Sequence, residues 1–364
     1  MGRGRSLMSW RTFAVLALLA AFLAAPLACA GRVTRVPWSD IRERYFIGFL
    51  KRNPVTATYL GVDGYSPELA DIDSTLPDVT KQGRASEIAF YRSILSDLER
   101  VDPASLPPGD GIDREVVRAQ IRFMLHLLED LHYDQRSVDT YMVAPFRGVD
   151  WQIQQMAGMP DGGRGTVEEW ERVARRVLAV PPFLSAVRGV LQDGIRAGNV
   201  PDHRMVQYDG IEIARSNASY FGQTLPDQAS GFLKSRPFAK DLTRRLRLAG
   251  QKAARAFRDI GEFLQEAYRP FADSDRYACG ETEYDWRLVH NLRLADGQTA
   301  AALFAGAQAR VEETQGLLVE VAKDVGRRRG LSLDWGSRAA TLASVRAVMD
   351  DLSRDYPRSD EEMF

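Results

Sequence analysis

Four histidines, His126, His132, His203 and His290, with the carboxylates around them, are the side chains of this 364-residue chain best suited to acid–base or metal chemistry. A zinc site of the His-Glu-x-x-His type places two imidazoles one helical turn apart, so that both face the ion. No such run occurs. The nearest approach is His126-Leu127-Leu128-Glu129-Asp130-Leu131-His132. Six residues of separation put these imidazoles about 120° apart around a helix that turns about 100° per residue. His126, Arg122, Glu129 and Asp130 flank an apolar stripe, a position that fits a solvated ion-pair face.

His203 stands between Asp202 and Arg204, with Tyr208 and Asp209 close behind. An acid–base role is open to it, but no recognisable nucleophile lies near. The structural alternative is a new helix opening here with Asp202 as its cap. His290 falls within Trp286-Arg287-Leu288-Val289-His290-Asn291, an amphipathic segment in which it reads as packed or half-exposed. Glu281, Glu283 and Asp285 cluster, but spacing alone does not separate a catalytic pair from a solvated face. The loop Asp161-Gly162-Gly163-Arg164-Gly165 could offer backbone donors to an anion. It lacks the preceding strand and the Lys-Ser/Thr ending of a phosphate loop, so it reads as a connector. No Gly-x-Ser-x-Gly elbow occurs, and Asn217-Ala218-Ser219 is a formal glycosylation sequon. The residues by themselves thus name no catalytic, cofactor-binding or metal-ligating position.

The chemistry that the sequence does specify is processing. Arg3, Arg5 and Arg11 precede the apolar run Phe13–Ala25, and Ala28-Cys29-Ala30 closes the segment before Gly31. A positive start, a short apolar stretch and a small-residue stop form an export signal, with cleavage after Ala30. The run is shorter than the roughly 20 apolar residues of a membrane span and is broken by Pro26. Lipidation of Cys29 is the alternative, although Pro26-Leu27-Ala28 fits that signal poorly. The mature protein is therefore expected to be periplasmic or extracellular, or lipid-anchored at the envelope. Its contact with the membrane is expected only through the signal or the lipid. Loss of residues 1–30, with three arginines and no acid, moves the formal charge from −1 to −4. Such a balance offers no general attraction for nucleic acid. Cys279 would then be the remaining cysteine, so no disulfide staples the chain and stability must come from its core.

The elements that hold these residues read as helices throughout. Ile88, Tyr91, Leu95 and Leu98 recur at three- and four-residue steps, as do Val117, Ile121, Met124, Leu128 and Leu131. A longer stripe runs Leu242, Leu246, Ala249, Ala253, Phe257, Ile260, Leu264 and Ala267. The longest runs Leu303, Phe304, Ala307, Val311, Thr314, Leu318, Val321 and Val325. Each places one apolar face along a helix, and sustained period-2 runs are nearly absent. Thr166-Val167-Glu168-Glu169 has capping-box spacing, Gly198-Asn199-Val200-Pro201 is a helix stop, and Arg327-Arg328-Arg329-Gly330 closes a helix with cations suited to its dipole. The fold class is all-α, a large multi-helix domain over 31–364 with no obvious linker and little or no β-sheet.

Three stretches together resemble one family. Asn53-Pro54-Val55-Thr56-Ala57-Thr58-Tyr59-Leu60-Gly61 is similar to its N-terminal signature, and Leu191-Gln192-Asp193-Gly194-Ile195-Arg196-Ala197-Gly198-Asn199-Val200-Pro201 to its second landmark. Cys279-Gly280-Glu281 with Tyr284 resembles a third. The ordered set resembles DUF885, a family of mostly bacterial, often exported proteins, over residues 40–360. The resemblance implies a helical fold related to zinc metallopeptidases, in which zinc polarises the scissile carbonyl and a motif glutamate is general base. In complete members the His-Glu-x-x-His segment lies beyond the region matched here, so no catalytic residue or zinc ligand transfers to a position in this chain.

The reading that follows is an exported helical part of a zinc-dependent peptidase, cut before its metal segment and inactive alone. The alternative is a non-catalytic exported module that binds a peptide or partner protein. On the first reading, the helix at 303–325 and the segment after Leu331 should expose apolar faces.

Overall fold

The computed structural model describes residues 36–157, 165–234, 239–294 and 297–363. The export segment, with Ala30 and Cys29, lies outside the described residues, as does most of the 161–165 loop. Every regular element among the described residues is helical. They fall into two compact units that divide between Tyr277 and Ala278, where the sequence carries no proline-rich or low-complexity linker.

The first unit opens with α1 (Trp38–Arg52), α2 (Pro54–Leu60), α3 (Lys81–Glu99) and α4 (Pro108–Leu125). The apolar faces of α1, α3 and α4, with Leu128 of the 126–130 segment that follows, meet in a core of Trp38, Ile41, Tyr45, Tyr91, Ile94, Leu98, Ile121 and Leu128. The stripes read from sequence at 88–98 and 117–131 supply four of these side chains. Then follow α5 (Val138–Ala157), α6 (Val167–Leu178), α7 (Val180–Ala197), α8 (Ile213–Ser219), α9 (Leu225–Leu233) and α10 (Ala239–Ala267). The helix α8 is flanked by two π-helical segments, 205–212 and 220–224.

The 29-residue α10 is the central post of the larger core. Leu242, Leu246, Ala249, Ala253, Phe257, Ile260 and Leu264 are all buried, as the stripe requires. Burial of a Leu- or Phe-sized side chain stabilises by about 1.5–3 kcal/mol, so this face binds α6, α7 and α8 into one body. Small residues bring the backbones close: a Cβ at Gly250 would run into the Phe221 carbonyl oxygen.

Local signals set the ends. The Thr166 hydroxyl accepts the Glu169 backbone N–H at 3.2 Å, and the Glu169 carboxylate accepts that of Thr166, completing the capping box. Gly198 stops α7 in the left-handed region (φ +69°), which glycine enters without a Cβ clash.

The second unit contains α11 (Glu281–His290), α12 (Ala300–Arg328), α13 (Arg338–Leu352) and the short α14 (Asp360–Met363). Its core is small: Ala322, Val345 and Val348, with Val319, Val325, Leu333 and Trp335 packed against them. Gly330 ends α12 at φ +67°, and Leu331 N–H bonds back to the Gly326 carbonyl at 2.9 Å. The preceding arginines have carboxylate partners: Arg327 and Arg328 pair with Asp324, and Arg329 with Asp351 and Asp355. The buried residues of α12, Ala322 and Gly326, lie in its last third. Phe304, Val311, Leu317 and Val321 are 65, 54, 63 and 59 % exposed.

Candidate functional site

The four histidines occupy separate settings. His126 begins a π-helical segment over 126–130, and its Nδ1 lies 2.7 Å from Asp130 Oδ2; the ion pair forms on the flank of the stripe, but the His126 side chain is largely covered rather than solvated. His132 takes a left-handed backbone (φ 43°) at the turn that follows. His203 is tied by its backbone N–H and its Nδ1 to the Ser274 carbonyl, at 2.9 and 3.0 Å. Asp202 beside it accepts the Arg204 backbone N–H at 2.9 Å, and its other oxygen accepts the Arg276 N–H at 2.8 Å. Hydrogen bonds from the Arg204 guanidinium hold the Asp202 carboxyl well below the usual range. The cap thus fastens the helix start at 203 to the 274–276 segment. The His290 ring sits 4.7 Å from that of Trp286.

Among the described residues, no three His, Cys, Asp or Glu side chains converge as metal ligands do. The donor set present therefore does not fit the zinc that the family resemblance implies. Asn217 is buried, and its amide donates to the Met142 carbonyl at 2.7 Å, which closes the sequon to glycosylation in the folded state.

The three stretches that carry the family resemblance are framework. Thr58 donates its hydroxyl to Asp73 at 2.6 Å and accepts from the guanidinium of Arg176 at 2.7 Å. Arg176 is fully buried. It also donates to the carbonyls of Ile72 (3.0 Å), Thr75 (3.0 Å) and Gly148 (2.6 Å). One guanidinium thus ties α2, the 72–75 turn, α5 and α6 together, and burial lowers its pKa to about 10. The second landmark works alike. Gly194 lets the Gln135 backbone pass where a Cβ would collide, and the Asn199 amide donates to the His132 carbonyl at 2.9 Å. At the third, Gly280 (φ +88°) starts α11, and the Tyr284 N–H bonds to the Gly280 carbonyl at 3.0 Å. Cys279 is exposed and free.

Perturbed side chains converge instead in a cavity of about 510 Å³ in the first unit. The end of α1 supplies Lys51 and Arg52, the first turns of α3 supply Arg84 and Glu87, and Asp134 and Tyr141 close the far side. The rim is set by Asp78, which accepts the Thr80 N–H at 3.0 Å. The Thr80 hydroxyl in turn caps α3 by accepting the Gly83 N–H at 3.0 Å. Arg52 lies 3.9 Å over the Phe90 ring and donates to the Gly48 carbonyl at 2.9 Å. Arg84 is ion-paired with Asp134, and the Tyr141 hydroxyl donates to the Asp134 carbonyl at 2.8 Å.

Burial raises the Glu87 carboxyl above its ordinary value, against the opposing Tyr91 hydroxyl, Arg52 and Arg84. Burial likewise lowers both arginines and pushes the Tyr141 phenol up. Two cations beside a carboxyl that burial shifts upward can grip a carbonyl or carboxylate. The paired cations and the carboxyl suit the binding and orientation of a polar group.

Sequence reasoning missed these residues. Arg176 had a signal, because it lies among Trp170, Val173, Ala174 and Val177 on a helix that buries them all. Glu87, Arg84 and Asp134 had none, since their meeting depends on how the start of α3 lies against the 133–136 turn.

The family profile described as "Bacterial protein of unknown function (DUF885)" matches residues 54–363. A solved structure described as "a putative lipoprotein of unknown function from Shewanella oneidensis" superposes over 90 % of this chain with a TM-score of 0.67 at 17 % identity. The superposition covers 54 % of that chain, so the present chain spans about half its length. At this identity the likeness is one of fold. No curated protein matches the sequence.

Proposed function

The chain belongs to the DUF885 family, and on that premise we propose that it is the helical, peptide-holding part of an exported peptidase-like protein whose hydrolytic segment packs on α12. The uncovered apolar face of α12 carries this reading. A water-facing row of Phe304, Val311, Leu317 and Val321 costs solubility unless a partner covers it. A fold neighbour about twice as long is in keeping with further polypeptide at that face. The Glu87 cleft offers what a substrate-holding part needs, cations for carbonyl or carboxylate groups beside a half-buried carboxyl. Export by the signal ending at Ala30 belongs to the same proposal, with lipidation at Cys29 as its variant; the neighbour's description as a lipoprotein bears on this choice. No helix among the described residues is long and apolar enough to cross a membrane.

A second reading is a binding module that works without a hydrolytic partner. It is favoured by the cleft being assembled wholly within the first unit, from residues 51–183.

The test is reconstitution. The chain alone, with zinc and a fluorogenic peptide mixture, should bind peptide without cleaving it. Linked to a DUF885 segment bearing His-Glu-x-x-His, it should cleave, and Glu87→Gln should alter KM more than kcat. Cleavage by the chain alone, or absence of peptide binding, would overturn the proposal. Binding without cleavage in the linked protein would select the second reading.

A further inference from the structure

Arginines on the surface of the first unit mostly have carboxylate partners: Arg245 pairs with Glu171 and Asp241, Arg247 with Asp227, and Arg172 with Asp63. Arg215, Arg255 and Arg258 depart from this pattern. Each is exposed, none has an ion-pair partner among the described residues, and all three line one cavity of about 650 Å³ between α8 and α10. Glu262, one turn beyond Arg258, shares the lining and makes no ion pair with it. Three unpaired guanidinium groups along one groove leave an excess positive field that an external anion would satisfy.

The shape of the groove narrows the choice of anion. Its lining follows α10 from Gln251 to Gln265, about 21 Å at 1.5 Å per residue. That length matches about six residues of extended chain. At its far end it adjoins a second cavity of about 400 Å³ through the shared Ile211 and Gln265. The floor is low because small residues bring the helices together: a Cβ at Gly222 would lie 3.2 Å from that of Ala254, and one at Gly261 3.5 Å from that of Ala214. Exposed glutamines at 223, 251 and 265 carry amides with no partner among the described residues. Each presents a donor and an acceptor, as a peptide backbone does. The π-helical segments on both sides of α8 interrupt its regular turns, a distortion frequent at functional sites. A compact phosphate would need its donors gathered at one point; here they are strung along a trough.

We propose that this groove binds an acidic peptide segment in extended form, its carboxylates paired with Arg215, Arg255 and Arg258 and its backbone met by the glutamine amides. The inference stands apart from the proposed function, because the groove shares no lining residue with the Glu87 cleft.

Fluorescence anisotropy with a labelled hexapeptide of alternating Glu and Ala, on the full chain, tests it. The acidic peptide should bind more tightly than its Gln–Ala and Lys–Ala counterparts and weaken as salt is raised. The triple substitution Arg215→Gln, Arg255→Gln, Arg258→Gln should weaken it by about tenfold or more, as loss of charge-assisted hydrogen bonds requires. The side chains are exposed, so the helical circular dichroism should not change. Arg255→Glu with Arg258→Glu should transfer the preference to the Lys–Ala peptide, a gain that misfolding does not produce. Equal binding of the acidic and neutral peptides, or an unaffected triple variant, would overturn the proposal. Displacement of the peptide by an equal concentration of inorganic phosphate would also overturn it, reducing the groove to a simple anion site.

Discussion

Two helices of the same length, α10 and α12, carry apolar stripes of the same period, and the structure treats them oppositely. Each has 29 residues. In α10 the stripe from Leu242 to Leu264 is buried against α6, α7 and α8. In α12 the stripe from Phe304 to Val321 faces solvent, and only the turns from Val319 to Val325 meet α13. An amphipathic pattern states that a face is suited to burial; it does not state which residues will cover it. The difference between the helices is the difference between a finished core and a face that is open to a partner.

Substitutions can press on this difference, the largest effects falling in the finished core. Arg176→Met should destabilise the first unit by about 3–5 kcal/mol, the cost of removing one side of a buried charged network. The carbonyls of Ile72, Thr75 and Gly148 would lose their donor, and urea unfolding measures the loss. Leu246→Ala on α10 should cost about 2–5 kcal/mol through lost burial and a residual cavity. A loss under about 0.5 kcal/mol there would show that α10 is not the post around which the unit packs.

How much of this could be read beforehand follows from what each pattern encodes. Helical period and caps are local, so the stripes of α3, α4 and α10, the box at Thr166 and the stops at Gly198 and Gly330 were legible residue by residue. The exposed face of α12 was legible only with the family resemblance, which suggested that further polypeptide belongs against it. The Glu87 cleft was not legible at all. Glu87, Arg84 and Asp134 are polar residues at ordinary helix and turn positions, and only tertiary packing gives them low exposure and shifts the titration of Glu87 and Arg84. The landmarks at 53–61 and 191–201 proved to be Thr58–Arg176 and Asn199–His132 framework, which explains how a family can be recognised without a catalytic residue in view.

The cleft supplies a subtler probe of the first unit. Burial holds the Glu87 carboxyl above its ordinary value, so its contribution to stability is fully present below the unfolded-state pKa and is lost as pH rises through the folded one. Glu87→Gln does not ionise. Its stability relative to the wild type should therefore improve as pH climbs through that interval and be unchanged below it, which urea titrations at a series of pH values would register. A constant difference at all pH values would place Glu87 in a solvated setting.

The smallest effect on folding belongs to α12. Phe304→Ser, Val311→Ser and Leu317→Ser should each change unfolding stability by no more than about 0.5 kcal/mol, as exposed positions do. Leu246→Ser on α10 should unfold the unit under the same conditions. Equal costs at the two helices would erase the distinction between them.

Sedimentation velocity over a concentration series, comparing the wild type with the Phe304→Ser, Val311→Ser, Leu317→Ser triple variant, tests the central claim most directly. If the α12 face is built to be covered, the wild-type chain should associate with itself as concentration rises and the triple variant should remain monomeric. A wild-type chain that stays monomeric throughout, indistinguishable from the variant, would contradict that account.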